Sequence, residues 1–98
     1  MNNNPLEKVI EKKVCDYAKS KGMLAYKFTS PNRAAVPDRL FITDKGVVFF
    51  IEFKRLGKKP TPAQEREMAL LKEQKTEVYV VDNIEAGCLI IDVMNGDL

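Results

Sequence analysis

Hydrophobic residues near the start of the chain recur every three or four positions, which is the spacing of one face of an α-helix. The resulting stripe consists of Leu6, Val9, Ile10, Val14, Tyr17 and Ala18. Asn4 and Pro5 precede it as a side-chain cap and a first-turn proline, and Gly22 follows it. We therefore predict a first helix that opens at Asn4 and ends at Gly22.

After Gly22 the pattern changes to short apolar runs typical of β-strands, at residues 23–29, 38–43, 47–54 and 76–81. Asp44-Lys45-Gly46 separates the second run from the third and is a turn signal, so these two runs should form a hairpin. Thr61-Pro62-Ala63-Gln64 has the pattern of a capping box that begins a second helix. Its apolar side consists of Met68, Leu70 and Leu71.

Asp82 or Asn83 can cap a last helix that runs to about Met94, although Leu89-Ile90-Ile91 also fits a strand. The element order α-β-β-β-α-β-α predicts an α/β fold in which helices pack on a mixed sheet. The β-α-β unit that ends at Val81 should be a parallel crossover. At 98 residues, the chain is expected to form one domain, residues 1–98.

The predicted hairpin brings distant charges together. If Lys45 is the centre of the turn, residues whose numbers sum to 90 face each other, and Asp38 lies opposite Glu52. Lys54 is two residues beyond Glu52, so both side chains point to the same face. The two carboxylates would then have Cβ atoms roughly 5 Å apart.

Two carboxylates about 5 Å apart repel each other by roughly 3 kcal/mol at an effective dielectric near 20. A divalent cation offsets this repulsion more fully than Lys54 does, and oxygen ligands suit Mg²⁺ or Mn²⁺. A metal site with an ammonium group beside it can cleave phosphodiesters. The alternative is an edge hairpin in which Lys54 simply pairs with Glu52 at the surface.

The composition of the chain excludes several classes of catalytic and metal site. The chain has no histidine, which excludes Ser-His-Asp and Cys-His catalysis, His-ligated zinc and nucleases that use a histidine base. Cys15 and Cys88 form no C-x-x-C pattern and are expected to be reduced, buried thiols of a cytoplasmic protein. The longest apolar run, Val47 to Ile51, is too short to cross a membrane.

The net charge is only +2, but basic residues cluster around the predicted site. Together with Ser30, the residues expected to contact DNA phosphates are Lys27, Arg33, Arg39, Arg55, Lys58 and Lys59. The alternative is a solvated lysine-rich surface. Lys8, Lys12 and Lys13 are interpreted as solvated charges on the first helix.

These motifs resemble the VRR-NUC (virus-type replication–repair nuclease) domains of the PD-(D/E)XK superfamily over nearly the whole chain. The matching segments are Tyr26-Lys27-Phe28-Thr29-Ser30-Pro31, Val36-Pro37-Asp38-Arg39, Phe50-Ile51-Glu52-Phe53-Lys54 and Thr61-Pro62-Ala63-Gln64. Members often have glycine before Val-Pro-Asp, where this chain has Ala34-Ala35. The resemblance implies a restriction-endonuclease-like core, Mg²⁺ with Mn²⁺ as a substitute, and Asp38, Glu52 and the Phe53 carbonyl as metal ligands.

The resemblance also implies that Lys54 orients or deprotonates the attacking water, or neutralises charge in the transition state. The products would carry 5′-phosphate and 3′-hydroxyl ends. Spacing alone leaves Gln64 as a capping partner or as an active-site amide, and the family glutamine favours an amide that orients water or substrate. Of two first-helix glutamates, Glu7 is the partner of the Asn4 cap, whereas Glu11 has no local role, so we predict Glu11 as a further active-site carboxylate.

The leading hypothesis is a metal-dependent endonuclease for branched or otherwise structured DNA. Stand-alone viral members of the family resemble Holliday-junction resolvases and work as homodimers, which implies paired nicks in a four-way junction, a role in DNA repair and a phage or prophage origin. One alternative is a related nuclease with another preference, such as a restriction-type or RNA-cleaving enzyme. The other is a non-catalytic nucleic-acid-binding or assembly protein.

Overall fold

The computed structural model of the chain describes residues 6–98. The helices are α1 (Glu7–Ser20), α2 (Pro62–Glu73) and α3 (Ile84–Asn95), and the strands are β1 (Leu24–Lys27), β2 (Arg39–Ile42), β3 (Val48–Phe53) and β4 (Glu77–Val81). This order confirms the predicted α-β-β-β-α-β-α arrangement, and residues 89–91 are helical. The predicted Asn4 cap and Pro5 lie outside the described residues.

The helix boundaries follow from local side-chain chemistry. Thr61 and Gln64 form the predicted capping box at the start of α2, each side chain accepting the other residue's main-chain N–H. Asn83, and not Asp82, caps α3. α1 ends just before Gly22, whose φ of 86° closes the last turn in a left-handed conformation that glycine adopts without strain.

The sheet has the strand order β1-β2-β3-β4. β1, β2 and β3 are antiparallel neighbours, and β4 lies parallel to β3, as the predicted crossover requires. α1 and α3 cover one face over a core made of Ile10, Val14, Cys15, Ala18, Met23, Phe41, Phe49, Ile51, Phe53, Val81 and Ile91. α2 covers the other face with a smaller cluster of Phe50, Met68 and Val78.

The buried stripe of α1 differs from the predicted one. Leu6 and Val9 are 50% and 39% exposed, and Cys15 is buried in their place. α3 packs closely on α1, because a Cβ atom at Gly87 would collide with the side chain of Val14. None of the helices in residues 6–98 is both long and apolar enough to span a lipid bilayer.

The buried side of α2 also differs from the predicted one. In α2, Met68 is buried, but Leu70 is 45% exposed and Glu67 is buried. Both cysteines are free thiols, as predicted, but only Cys15 is fully buried and Cys88 is half-buried.

Candidate active site

The hairpin has the predicted register. Paired residues of β2 and β3 have numbers that sum to 90, and Arg39 faces Ile51 at the end of the ladder. One step beyond this pair, the register sets Asp38 opposite Glu52. The Asp38 carboxylate reaches across to β3, where Oδ2 accepts a 2.8 Å hydrogen bond from the main-chain N–H of Phe53. Asp38 is therefore fixed at the end of the sheet.

The Glu52 carboxylate is almost completely buried, with 2% of the residue exposed. Its Oε2 lies 3.5 Å from Lys54 Nζ and accepts a 2.9 Å hydrogen bond from Gln64 Nε2. Its Oε1 is buried and has no hydrogen-bond partner among residues 6–98. Because buried polar atoms in folded proteins are nearly always hydrogen-bonded, this unpaired oxygen indicates a position for a ligand.

The pKa values of Glu52 and Asp38 show that burial disfavours the charged form of both carboxyl groups. Burial, reinforced by the charge of Asp38, raises the pKa of Glu52 from its ordinary value of 4.5 to about 7, and Lys54 opposes this shift. Burial also raises the pKa of Asp38, and the Phe53 N–H opposes that shift. A cation between the two carboxylates would favour the charged form of both.

The donor set fits a hard divalent cation, because the ligands offered at this end of the sheet are carboxylate and carbonyl oxygens. Within residues 6–98, no group of three or more His, Cys, Asp or Glu side chains is arranged to hold a metal ion. A cation would thus have two carboxylate ligands, Asp38 and Glu52, with the main-chain carbonyl of Phe53 and water. Mg²⁺ is commonly bound by one or two carboxylates with several waters retained.

Comparison with known proteins shows which family the chain belongs to. No family model matches the sequence. The chain is 40% identical over 84 residues to "Putative nuclease p44" of Acyrthosiphon pisum secondary endosymbiont phage 1, an alignment covering 86% of this chain and 90% of that protein. It is also similar to a solved structure described as a VRR_NUC domain, with a TM-score of 0.82 and 29% identity over 88% of this chain and 94% of the other. The chain belongs to the VRR-NUC nuclease family. The resemblance drawn from the motifs is therefore confirmed for the VRR-NUC fold.

The first-helix carboxylates of this VRR-NUC chain do not have the surroundings that the sequence argument assumed. Glu11 Oε2 accepts a 2.5 Å hydrogen bond from Arg39 Nε, so Glu11 has an ion-pair partner on β2. Its charge still raises the pKa of Asp38. Sequence spacing did not show this pairing, because it does not reveal which strand residue faces α1.

Glu7 is the first residue of α1, and Leu6 at the N-cap position makes no side-chain capping bond. Burial and the charge of Asp38 raise the pKa of Glu7, whereas Lys54 lowers it. Glu7 also contributes to the raised pKa of Glu52. Glu7 therefore lies within electrostatic reach of Asp38, Glu52 and Lys54.

The predicted DNA contacts of this VRR-NUC chain occupy separate places. Lys27 and Arg39 face each other across β1 and β2 on the α1 side of the sheet. Arg55, Lys58 and Lys59 follow β3 in a loop in which both lysines are exposed. The first region includes the residue that directly follows Asp38, and the second begins three residues after Glu52.

Ser30 and Arg33 line a third place, a cavity of about 340 Å³ between the β1–β2 loop and α2. Arg33 Nε lies 2.5 Å from Glu67 Oε1 and 3.0 Å from Oε2, so Arg33 is ion-paired to a buried carboxylate. The sequence argument did not include Glu67 in the site. A signal was available, because Glu67 follows Gln64 by one helical turn on the same face of α2.

Proposed function

We propose that the chain is a Mg²⁺-dependent endodeoxyribonuclease that cleaves branched DNA as a homodimer. The observation that carries the metal-dependent cleavage in this proposal is the buried, unpaired Oε1 of Glu52 opposite Asp38, with the Lys54 ammonium beside the other oxygen. Membership of a nuclease family supports nucleic acid as the substrate class.

Asp38, Glu52 and the Phe53 carbonyl would hold the cation, and Mn²⁺ would substitute for Mg²⁺. When bound, the cation polarises the phosphoryl group and lowers the pKa of bound water. Lys54 contributes a fixed positive charge, largely shielded from solvent, for the negative charge that develops on the phosphoryl oxygens. Overall, the water hydroxyl is added to phosphorus and its proton to the 3′-oxygen, which leaves 5′-phosphate and 3′-hydroxyl ends.

For the further carboxylate, we propose Glu7 at the site and Glu11, the residue predicted from the sequence, as the group that orients Arg39. Glu7 has no ion-pair partner among residues 6–98, whereas Glu11 is paired. Glu7→Gln should slow cleavage at saturating DNA, while Glu11→Gln should leave that rate nearly unchanged, because Glu11 orients Arg39. The reverse pattern, measured by single-turnover kinetics, would return the catalytic role to Glu11.

The homodimer is supported by the uncovered edge of the sheet. β1 is an edge strand, and its side chains Leu24 and Tyr26 are 50% and 53% exposed on one face. A second copy that pairs along β1 about a twofold axis would cover both residues with the same residues of the partner. Two active sites on such a dimer would nick opposite strands of a four-way junction, as phage DNA processing or repair requires.

A substrate panel tests the proposal directly. The full chain is incubated with Mg²⁺ and linear duplex, flapped DNA, a four-way junction or RNA, with Glu52→Gln as the control. We expect paired nicks in the junction from the wild type, and DNA binding without cleavage from Glu52→Gln. A wild type inactive with both Mg²⁺ and Mn²⁺ would instead identify a non-catalytic binding protein, and preferred cleavage of linear DNA or RNA would overturn the substrate assignment. A monomer by light scattering that makes single nicks would overturn the dimer.

A further inference from the structure

A second cleft, of about 350 Å³, lies between α1 and the first two strands, beside the candidate active site. Its basic side chains are Lys8, Lys12, Lys19, Lys27 and Arg39. Glu11 and Asp16 supply its negative charge, so the five positive and two negative groups leave a formal charge of +3. This formal charge is larger than the net charge of +2 of the whole chain.

Both acidic groups of the cleft already form ion pairs with basic side chains of the same cleft. Glu11 pairs with Arg39 at 2.5 Å, and Asp16 pairs with Lys12 at 2.9 Å. The remaining cleft lysines have no ion-pair partner within residues 6–98; these are Lys8, Lys19 and Lys27. The cleft therefore has charge available for an external anion.

The strand register places two of these positive charges side by side. Lys27 and Arg39 are directly opposite each other in the antiparallel pair of β1 and β2. Like charges at directly opposed positions destabilise a sheet, and among residues 6–98 the ion pair of Arg39 with Glu11 is the only one that either residue forms. An anion bound in the cleft would remove this repulsion.

The cleft adjoins the site where cleavage is proposed. Arg39 is the residue after Asp38, so the two side chains leave the start of β2 on opposite faces of the sheet. Lys27 directly precedes Phe28, whose main-chain N–H donates a 2.9 Å hydrogen bond to the main-chain carbonyl of Asp38. A polyanion that crosses the end of the sheet can therefore contact the site and the cleft at once.

We infer that this cleft holds the sugar-phosphate backbone of the DNA next to the scissile phosphate, with the α1 lysines as direct ligands. The inference rests on the proposed function and adds Lys8 and Lys19 to the substrate surface. Lys8 and Lys19 are eleven residues apart, about 16 Å along a helix, whereas a DNA strand carries one phosphate per 3.4 Å of axis. The lysines thus match several successive phosphates and not a single free phosphate ion.

The test is the salt dependence of DNA binding without cleavage. Binding of a fluorescent four-way junction to the full chain is measured in EDTA over a range of KCl concentrations. Lys8→Ala/Lys19→Ala is compared with Lys72→Ala/Lys75→Ala, which removes the same charge beside Glu77 at the opposite end of the sheet. Thermal unfolding confirms that both variants fold.

Each lost phosphate contact should lower the slope of log affinity against log salt by about 0.9. Lys8→Ala/Lys19→Ala should therefore reduce the slope by about 1.8, and the affinity at 0.1 M salt by about sixtyfold, while the control variant binds like the wild type. Equal slopes for the two variants would overturn the inference even if the wild type cleaves DNA. A wild type that binds normally but never cleaves would overturn the proposed function and leave this binding result intact.

Discussion

Gln64 and Glu52 are joined by a 2.9 Å hydrogen bond from Nε2 to Oε2, while Oε1 of the same amide accepts the main-chain N–H of Thr61 at 2.9 Å. One side chain therefore caps α2 and supports the buried carboxylate. The two roles that the sequence leaves as alternatives for Gln64 occur together. Because both ends of the amide are engaged, the start of α2 holds Glu52 with its Oε1 open.

Gln64→Ala should lose both functions, because it removes the acceptor for Thr61 and the donor for Glu52. We expect a loss of about 1 kcal/mol in the free energy of unfolding, typical of a lost cap, together with slower junction cleavage. Thr61→Ala is the matched control, since it removes only the capping hydroxyl. It should lose similar stability in urea denaturation and cleave within about twofold of wild type. Equal loss of cleavage in both variants would show that Gln64 acts only as a cap.

The Glu52 charge should destabilise the metal-free protein at high pH. The pKa of Glu52 is about 7 in the folded chain against an ordinary value of 4.5, so the folded state binds the proton more tightly. Stability should therefore fall as the pH rises from about 4.5 to about 7. The full shift corresponds to at most about 3 kcal/mol.

Glu52→Gln cannot ionise, and in EDTA it should be more stable than the wild type at pH 8.5 and nearly equal to it at pH 4.5. Urea denaturation at the two pH values measures this difference. Mn²⁺ at pH 8.5 should stabilise the wild type and leave Glu52→Gln unchanged. A stability difference that stays constant with pH would refute the raised pKa of Glu52.

Lys54→Met should raise the pKa of Glu52 further, because the ammonium of Lys54 lowers that pKa. We expect cleavage to fall by on the order of 10²-fold or more and its pH profile to move to higher pH. Stability should change little at pH 6, where Glu52 is mostly protonated, and fall at pH 8.5. Lys45→Met, at the exposed hairpin turn, is the control and should leave the pH profile in place. An unmoved profile for Lys54→Met would contradict the coupling of Lys54 to Glu52.

Ala35 has a φ of 71°, in the left-handed region, within the loop that leads to Asp38. A side chain in this conformation costs roughly 1–2 kcal/mol, and glycine recovers it at an entropic cost of about 0.5–1 kcal/mol. Ala35→Gly should therefore raise the free energy of unfolding by up to about 1 kcal/mol. Ala34→Gly, where φ is not positive, should only lower it. Equal effects of the two changes in urea denaturation would contradict this assignment of strain.

Local signals made the hairpin predictable from the sequence. The Asp44-Lys45-Gly46 turn fixes the centre, and the alternation of side chains fixes which residues face each other, so the pairing of Arg39 with Ile51 follows from counting. The α2 cap at Thr61 is equally local. These features depend on neighbours a few residues apart in the chain or directly across one turn.

Features that depend on how separate elements approach each other were not predictable. The pairing of Glu11 with Arg39, and the position of Glu7 near Asp38, depend on how α1 lies across the sheet. The close approach of α3 to α1 depends on Gly87, a residue that carries no signal in a helical pattern. Spacing therefore could not decide between Glu7 and Glu11 as the further carboxylate.

The central claim is that Asp38 and Glu52 together bind a divalent cation, and a manganese-containing crystal tests it most directly. Diffraction data collected from crystals in Mn²⁺ at about pH 8 should show an anomalous peak in contact with Asp38 and with Oε1 of Glu52. Crystals of Glu52→Gln under the same conditions should lack this peak. Wild-type crystals with ordered Mn²⁺ elsewhere and none between these two carboxylates would contradict the account.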